Sequence, residues 1–412
     1  MRKVPQLIDI AWKGPEHLDT VVIEHKVKIV TPLFGGGVAL DGNNPHLKDY
    51  DHITPLRGSS VVGQIRFWWR AVYGARLASL AAMKERESHI FGTASHAGKV
   101  AVRVERVSTA AHKELPYSQN SALGYGAFAL QHGREASDQR DGSVFQLSDE
   151  FAISWSVDKS CAVEVQHAVS TWLNLGGVGG RTRRGFGAVS AESAPDFATW
   201  SAQVLPLVQG KKTLPGVSAL VAENIKTLRA GGPVLGADQA HLAALGKLRA
   251  FRQGEMVGRN KGQGNRPGRS FWPEPHAIRM RTRDWDPNHG VSLHTPAVEK
   301  FPRALFGMPI IFHFQSKTDP KDTQLAPAGQ SRLASPVILR PVRVGGQWTA
   351  VCAVLFDADR ENLQVELTGK GVREATPVEW RVTERERTAI AERVKPYKTS
   401  DITLSFLDYF AS

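Results

Sequence analysis

Apolar and polar positions alternate over residues 21–31, VVIEHKVKIVT. Ile23, His25, Val27 and Ile29 share one face, and Glu24, Lys26 and Lys28 the other, as in a half-buried strand. PLFGGG ends it and a polar loop, DGNNPHLKDYDH, follows. In the next apolar segment Val62, Ile65, Trp69, Val72 and Tyr73 recur at helical spacing. This predicts a helix over 59–83, capped by Ser59 or Ser60, with Arg66 and Arg70 four apart on a neighbouring face. Alternation returns in 99–107 and 145–157. VEVQHAVSTWLNLGG then places Val165, Val169, Trp172 and Leu173 at helical spacing, with Gly176 set to end the helix, and FGAVS reads as a short strand. The order strand, helix, strand, strand, helix, strand is the ferredoxin-like pattern, also that of the RRM. Its antiparallel sheet carries helices on one face and leaves the other for a ligand or partner.

The second half is less regular. Residues 217–252 read as two helices broken at AGGP, and 252–284 as a long mobile loop rich in Gly and Arg. MPIIFHFQ (308–315) reads as a strand, and PVILRPVRVGGQWTAVCAVLF as two strands joined at Gly345-Gly346. VEWRVTERERTAIAERV reads as a charged helix. We expect a second α+β domain, with the linker near 191–215, and divide the chain into 1–195 and 196–412.

A length of 412 residues fits this two-domain reading. The formal net charge of +12 points to a polyanionic partner, either nucleic acid or an anionic membrane surface. From 247 to 283 there are ten Lys or Arg against two Glu. Cys161 and Cys352 offer neither zinc spacing nor a disulfide framework. MRKVPQLIDIAWKGPEH lacks the apolar core of a signal peptide, and no apolar run approaches a membrane span, so the expectation is a soluble cytoplasmic protein without cofactor or metal.

The candidate chemistry concentrates in LGGVGGRTRRGFG, residues 175–187. No Walker A run occurs. The dinucleotide fingerprint fails because Thr182 stands where its last Gly belongs and because the loop follows a helix. RGFGAVSA matches the RNP1 strand at Arg184, Gly185, Phe186, Gly187 and Val189, but Ala188 and Ala191 replace the stacking aromatics. What remains is a loop whose glycines present backbone N–H groups and whose Arg181, Arg183 and Arg184 supply charge. That suits a sugar–phosphate chain held without base readout. A mobile surface loop with incidental arginines is the plainer alternative. Arg57 and the free N–H groups of RGSS offer a second anion site.

TPLFGGG, LRGSSVVGQIRFWWRA, IFG and LGGVGGRTRRGFG together resemble the RAMP superfamily of CRISPR RNA-guided effectors. The run RFWWRA narrows the resemblance to the first-numbered RAMP subunits of the type III-B Cmr complex, or of a sister type III lineage. FPRALFGMPIIFHF and RLASPVILRPV extend it, so that it covers 22–355 in patches and omits 195–265 and the last fifty residues. It implies two fused ferredoxin-like domains with helical and loop insertions, in a non-catalytic subunit. Such a subunit sits beside another RAMP subunit at the crRNA 3′ end and helps engage target RNA. The RNA contacts it implies are Arg57, Arg66 and Arg70 on the helix, and Gly177, Gly179, Gly180, Arg181, Arg183 and Arg184 in the loop. The basic insert 255–283 has no counterpart in the family pattern.

Trp68 and Trp69 read as core rather than base-stacking residues, and Arg66 and Arg70 can pair with acids of another subunit instead of phosphate. The alternative function is an endoribonuclease. It would use His25, His46 or His52 as acid or base, or Asp41, Asp49 and Asp51 with or without a metal. His25 shares the face of Ile23 and Val27, which favours a packed core histidine.

Overall fold

A computed structural model describes residues 19–33, 56–108, 113–115, 121–127, 144–146, 149–210, 212–228, 236–264, 267–372 and 375–412. The GGG of 35–37, Asp41, His46, Asp49, Asp51 and His52 lie outside the described residues.

The first half runs β1 (Thr20–Ile29), α1 (Gly58–Val72), α2 (Leu80–Phe91), β2 (Val100–Ser108), β3 (Lys113–Leu115), α3 (Ala122–Ala127), β4 (Val144–Gln146), β5 (Glu150–Asp158), α4 (Ala162–Leu175), β6 (Val189–Ala191) and α5 (Phe197–Val204). Strands β2, β5, β1 and β6 form an antiparallel sheet in that order, the ferredoxin-like arrangement expected from the pattern. Val27, Ile29, Phe151, Ile153, Trp155 and Val157 are buried beneath α1 and α4, which contribute Val61, Ile65, Trp68, Trp69, Val165, Val169 and Trp172. Alternation along β1 and β5 therefore reports a real inside and outside. The opposite face carries Lys26 and Lys28, both paired with Glu150.

Three local expectations change. The strand over 145–157 is two strands, with β4 pairing β3 instead of joining the main sheet. The helix over 59–83 breaks at Val72 because its last carbonyls are taken by other partners. Ala71 O accepts from Leu220 N at 2.9 Å, and Arg76 Nη1 donates to Ala71 O and Val72 O at 3.2 and 3.3 Å. Neither Ser59 nor Ser60 caps α1. The N-cap is Arg57, which makes no capping bond, whereas Ser79 caps α2 by accepting from Ala82 N at 3.1 Å.

The second half runs β7 (Ile225–Thr227), α6 (Ala237–Gln253), α7 (Glu274–Thr282), β8 (Ile310–Phe312), β9 (Thr323–Pro327), β10 (Val337–Val344), β11 (Gln347–Val354), β12 (Val365–Gly369), β13 (Thr376–Val378), α8 (Glu384–Ala391) and α9 (Ile402–Ala411). Strands β10, β11 and β7 form one antiparallel sheet, and β13, β12, β9 and β8 a second. Gly345 and Gly346 join β10 to β11 with φ of 56° and 83°, the left-handed pair a tight hairpin demands.

The segment 217–228, read as helical, contains β7, because Ile225 and Lys226 pair with the edge of β11. The stretch 197–208, read as linker, is α5 and a short turn. Phe197, Trp200, Val204 and Val208 enter the same core as the first sheet. The basic segment read as a mobile loop includes α7 and buries Phe271, Trp272, Ala277 and Ile278. Its few apolar residues are concentrated where they pack, and composition over the whole window hides them.

The sheet β10–β11–β7 is buried on both faces, which accounts for the almost unbroken apolar run of β10. Val337, Leu339, Ala350 and Cys352 share a core with α6 and α9. Ile338, Val342, Val351 and Ala353 belong to the core of the first half. On that face Arg340, 2 % exposed, crosses between the halves. Its Nη1 donates to Trp172 O at 3.1 Å, and its Nη2 donates to Leu173 O at 2.6 Å and to Val189 O. The first two are carbonyls of the last turn of α4, where the helix dipole is negative; Trp172 O accepts from Gly176 N as well. Burial lowers the guanidinium to about 9, so it remains charged at neutral pH.

Arg340→Met is expected to cost roughly 3 kcal/mol, because it strands buried carbonyls at the junction. A urea midpoint equal to that of the native protein would show that the clamp is dispensable.

Candidate nucleic-acid interface

The Gly–Arg segment is a fastened loop. Gly176 ends α4, its N–H reaching Trp172 O at 2.8 Å. Gly177 pairs with Ala188, Val178 N donates to Gly187 O at 2.8 Å, and Gly187 N donates to Pro32 O at 2.9 Å. Thr31 Oγ1 donates to Gly185 O at 2.7 Å and accepts from Ala188 N at 2.8 Å. These bonds seat both arms of the loop at the end of β1 and leave Gly179 and Gly180 exposed at its tip. Gly187 is required by its surroundings: its φ is +60°, and a Cβ there would lie 2.0 Å from Val178 O. Arg181 takes a left-handed φ of 60° with a side chain, an unusual conformation for a non-glycine residue.

The loop also meets the second half. His241 of α6 donates from Nε2 to Arg184 O at 2.7 Å, and its ring packs edge-on against Phe186 with centroids 4.8 Å apart. Arg183 donates to Ser335 O and lies over the Phe67 ring of α1, 5.7 Å from its centroid. Arg181 Nη1 reaches Gly126 O of α3 at 3.4 Å. The helix that bears the paired tryptophans and the arginine loop thus touch, through Phe67. Trp68 and Trp69 are core residues, 2 % and 0 % exposed, and Trp69 Nε1 donates to Glu164 at 2.7 Å.

Two of the loop's arginines carry charge that no described acid matches. Among the described residues neither Arg183 nor Arg184 pairs with a carboxylate. Burial lowers Arg184 to about 10, and the neighbouring Arg252 and Arg181 push it the same way. Its Nη1 has no hydrogen-bond partner. Burial, with Arg360 nearby, also lowers Arg183. Arg184 keeps its charge at neutral pH, and the two guanidiniums create a positive field in a region of low polarizability.

Arg66 and Arg70 sit elsewhere on α1. Both grip Glu87 of α2, through Nε at 2.8 Å in each case, and Arg66 stacks on Phe91. Burial raises the Glu87 carboxyl, but the bonds from Arg70 and Arg66 outweigh it and hold the group below its ordinary value. Their partner is an acid of this chain, yet the arginine side chains stay 36 % and 43 % exposed. Arg57 is exposed at the start of α1, ten residues and about 15 Å of helix from Phe67. His25 is half-buried, sharing a hydrogen bond of 2.9 Å with Ser193 Oγ and resting edge-on against Trp155. Among the described residues no group of three or more His, Cys, Asp or Glu is arranged to hold a metal, and no helix is long and apolar enough to cross a membrane.

Phe67, Ser335, His241, Arg252 and Arg360 complete this site and were not singled out in the sequence. Phe67 sits inside RFWWRA and was readable there. The others lie far along the chain, 152 residues from Arg183 for Ser335 and 57 from Arg184 for His241, with no local motif to mark them.

Residues 26–190 match the family model described as the RAMP superfamily. The chain is 27 % identical over 186 residues to the CRISPR system Cmr subunit Cmr1-2 of Pyrococcus furiosus, covering 40 % of this chain and 92 % of that one. Among solved structures, Cmr1 from Pyrococcus furiosus in its apo form aligns with 85 % of this chain and 99 % of its own, at 15 % identity and a TM-score of 0.44. A chain of the type III-B Cmr-beta assembly bound to cognate target RNA aligns with 92 % of this chain and 99 % of its own, at 10 % identity and a TM-score of 0.42.

Two outcomes follow from the fastening of the loop. Burial lowers His241 from its ordinary value of 6.5 to about 4. Below about pH 6.5 the unfolded chain therefore binds a proton that the folded chain refuses. This contribution to stability is complete above pH 6.5 and is lost as pH falls toward 4, by roughly 3 kcal/mol at most. The urea midpoint should fall over that range, and less steeply in His241→Gln; equal slopes would refute the assignment. Gly187→Ala should cost about 2 kcal/mol or more through its left-handed backbone and the Val178 carbonyl, read from the same unfolding curves.

Proposed function

We propose that this chain, a RAMP-superfamily protein resembling the Cmr1 type of subunit, is a non-catalytic RNA-binding component of a type III CRISPR ribonucleoprotein. In this reading it works in the cytoplasm beside other RAMP subunits, caps the assembly near the crRNA 3′ end and helps engage target RNA. It divides into two modules, 1–195 and 196–412, with α5 packing back onto the first. The strand–helix–hairpin–helix run of β7, α6, β10–β11 and α9 supports a second module built like the first.

The observation that carries the reading is the arginine loop seated against α1, with no carboxylate paired to Arg183 or Arg184 among the described residues. A ribose–phosphate chain supplies the missing charge. Gly179 and Gly180 at the tip let it approach the backbone, Arg181 and Arg183 provide forks for phosphate oxygens, and Arg184 acts from below through its field. Gly177 shapes the arm through its pairing with Ala188. Arg57, Arg66 and Arg70 extend the positive surface along α1, the last two anchored by Glu87 so that their exposed edges face outward at little further entropic cost. No base-stacking platform is involved, so binding is sequence-tolerant and strongly dependent on salt.

Arg181→Gly is the cleanest test. It removes one charge and relieves a left-handed backbone, so the fold is preserved or slightly stabilised. Binding to single-stranded RNA, followed by fluorescence anisotropy over a range of salt, should show the slope of log K against log salt reduced by about 0.7. A slope identical to that of the native protein would rule the loop out as the RNA contact, and cleavage of labelled RNA by the pure protein would rule out the non-catalytic role.

A further inference from the structure

The basic insert that the family pattern leaves unmatched is an ordered hairpin. Arg259 bridges both Glu255 and Ser270, Asn260 N donates to Arg269 O at 2.8 Å, and Phe271 N donates to Gly258 O at 2.9 Å. Its arms meet backbone to backbone, since a Cβ on Gly268 would lie 1.9 Å from Asn260 O. Its root is anchored by the buried Phe271 and Trp272, and Trp272 Nε1 donates to Arg252 O at 2.9 Å.

Helix α6 connects this hairpin to the arginine loop. His241 near its start holds Arg184 O, and the Arg252 carbonyl at its end accepts from Trp272 at the hairpin root. The eleven residues between them span about 16 Å of helix. The two positive segments are thus fixed to opposite ends of one rigid strut.

The insert's charges divide into two sets. One set is consumed internally: Arg279 grips Asp319 at 2.7 and 2.9 Å, Arg281 meets Glu299 at 3.3 Å, and Glu274 faces Arg303 at 3.1 Å. Arg269 spends its Nη2 on His289 O, at 3.2 Å, and on Val291 O. Arg259 and Lys261 form the other set, with no carboxylate within ion-pairing distance among the described residues. The Nε of Arg252 and of Arg259 is buried without a hydrogen-bond partner. Asn260, Lys261 and Gln263 are exposed beside them. A protein-binding surface would call for an apolar centre depleted in charge, and Met256 is the single large apolar residue exposed on this hairpin among the described residues. A polar, basic, glycine-rich ridge suits a polyanion instead.

We propose that the hairpin formed by 254–264 and 267–271 is a second contact for the sugar–phosphate backbone of single-stranded RNA, receiving the strand that the arginine loop holds at the other end of α6. This inference rests on the RNA-binding reading of the loop.

The test compares the full-length native protein with Lys261→Glu and with the pair Arg259→Gln, Lys261→Ala, on oligouridylates of about six and about twenty nucleotides. On the long strand the pair should flatten the slope of log K against log salt by about 1.4, near 0.7 for each lost contact. On the short strand, held by the loop, neither variant should change it. Lys261 is exposed, so Lys261→Glu keeps the test decisive if the pair folds poorly. Native-like slopes for both variants on the long strand overturn the hairpin contact and leave the loop reading standing. Equal losses on both lengths overturn the idea of a separate contact. Unchanged RNA affinity with loss of a co-purifying protein assigns the ridge to a protein and also overturns it. A native protein that binds neither length removes both readings.

Discussion

Arg340 carries a charge into the most enclosed part of the molecule and finds no acid there. Its partners are carbonyls: two from the end of α4 and one from β6. The arrangement works because the end of a helix concentrates unpaired acceptors and partial negative charge, which a planar fork can meet several at a time. Remove it and the α4 terminus and the start of β6 lose the hydrogen bonds that tie them to β10. The loop between them is the very segment whose position makes a phosphate site conceivable, so the geometry of that site depends on this guanidinium.

Held in this way, the Gly–Arg loop divides its residues between support and display. Gly177, Gly185 and Gly187 are buried and allow close backbone approaches, while Gly179 and Gly180 stand out at the tip. Arg184 is half-buried, with His241 on its carbonyl. Such a charge is costly to bury, and its Nη1 is enclosed without a hydrogen-bond partner among the described residues. The same cost leaves it poised to favour an anion placed nearby.

A glycine–arginine loop is ordinarily read as flexible, and so is a basic insert with many glycines. Both are ordered here for one reason. Glycine permits backbone-to-backbone contact, and once that contact is made the chain has little freedom left. The hairpin after α6 and the arms of 175–187 are two instances of the same rule.

What the sequence determined by itself was local and periodic. The alternation of β1 and β5, the helical spacing in α1 and α4, the Gly345-Gly346 turn and the core character of Trp68 and Trp69 follow from residue types over a few positions. The loop's glycines and arginines were legible for the same reason. Tertiary structure decided everything that depends on a distant partner. It made a strand of 225–227 at the edge of β11, made a helix of 197–204 by giving Trp200 a core to enter, and anchored the basic insert through Trp272. It also turned Arg66 and Arg70 to Glu87 and brought His241 and Ser335 to the loop. A hydrogen bond or a buried face stabilises a segment only through the group opposite it. That group is chosen by the packing of the whole chain and leaves no trace in the neighbouring residues.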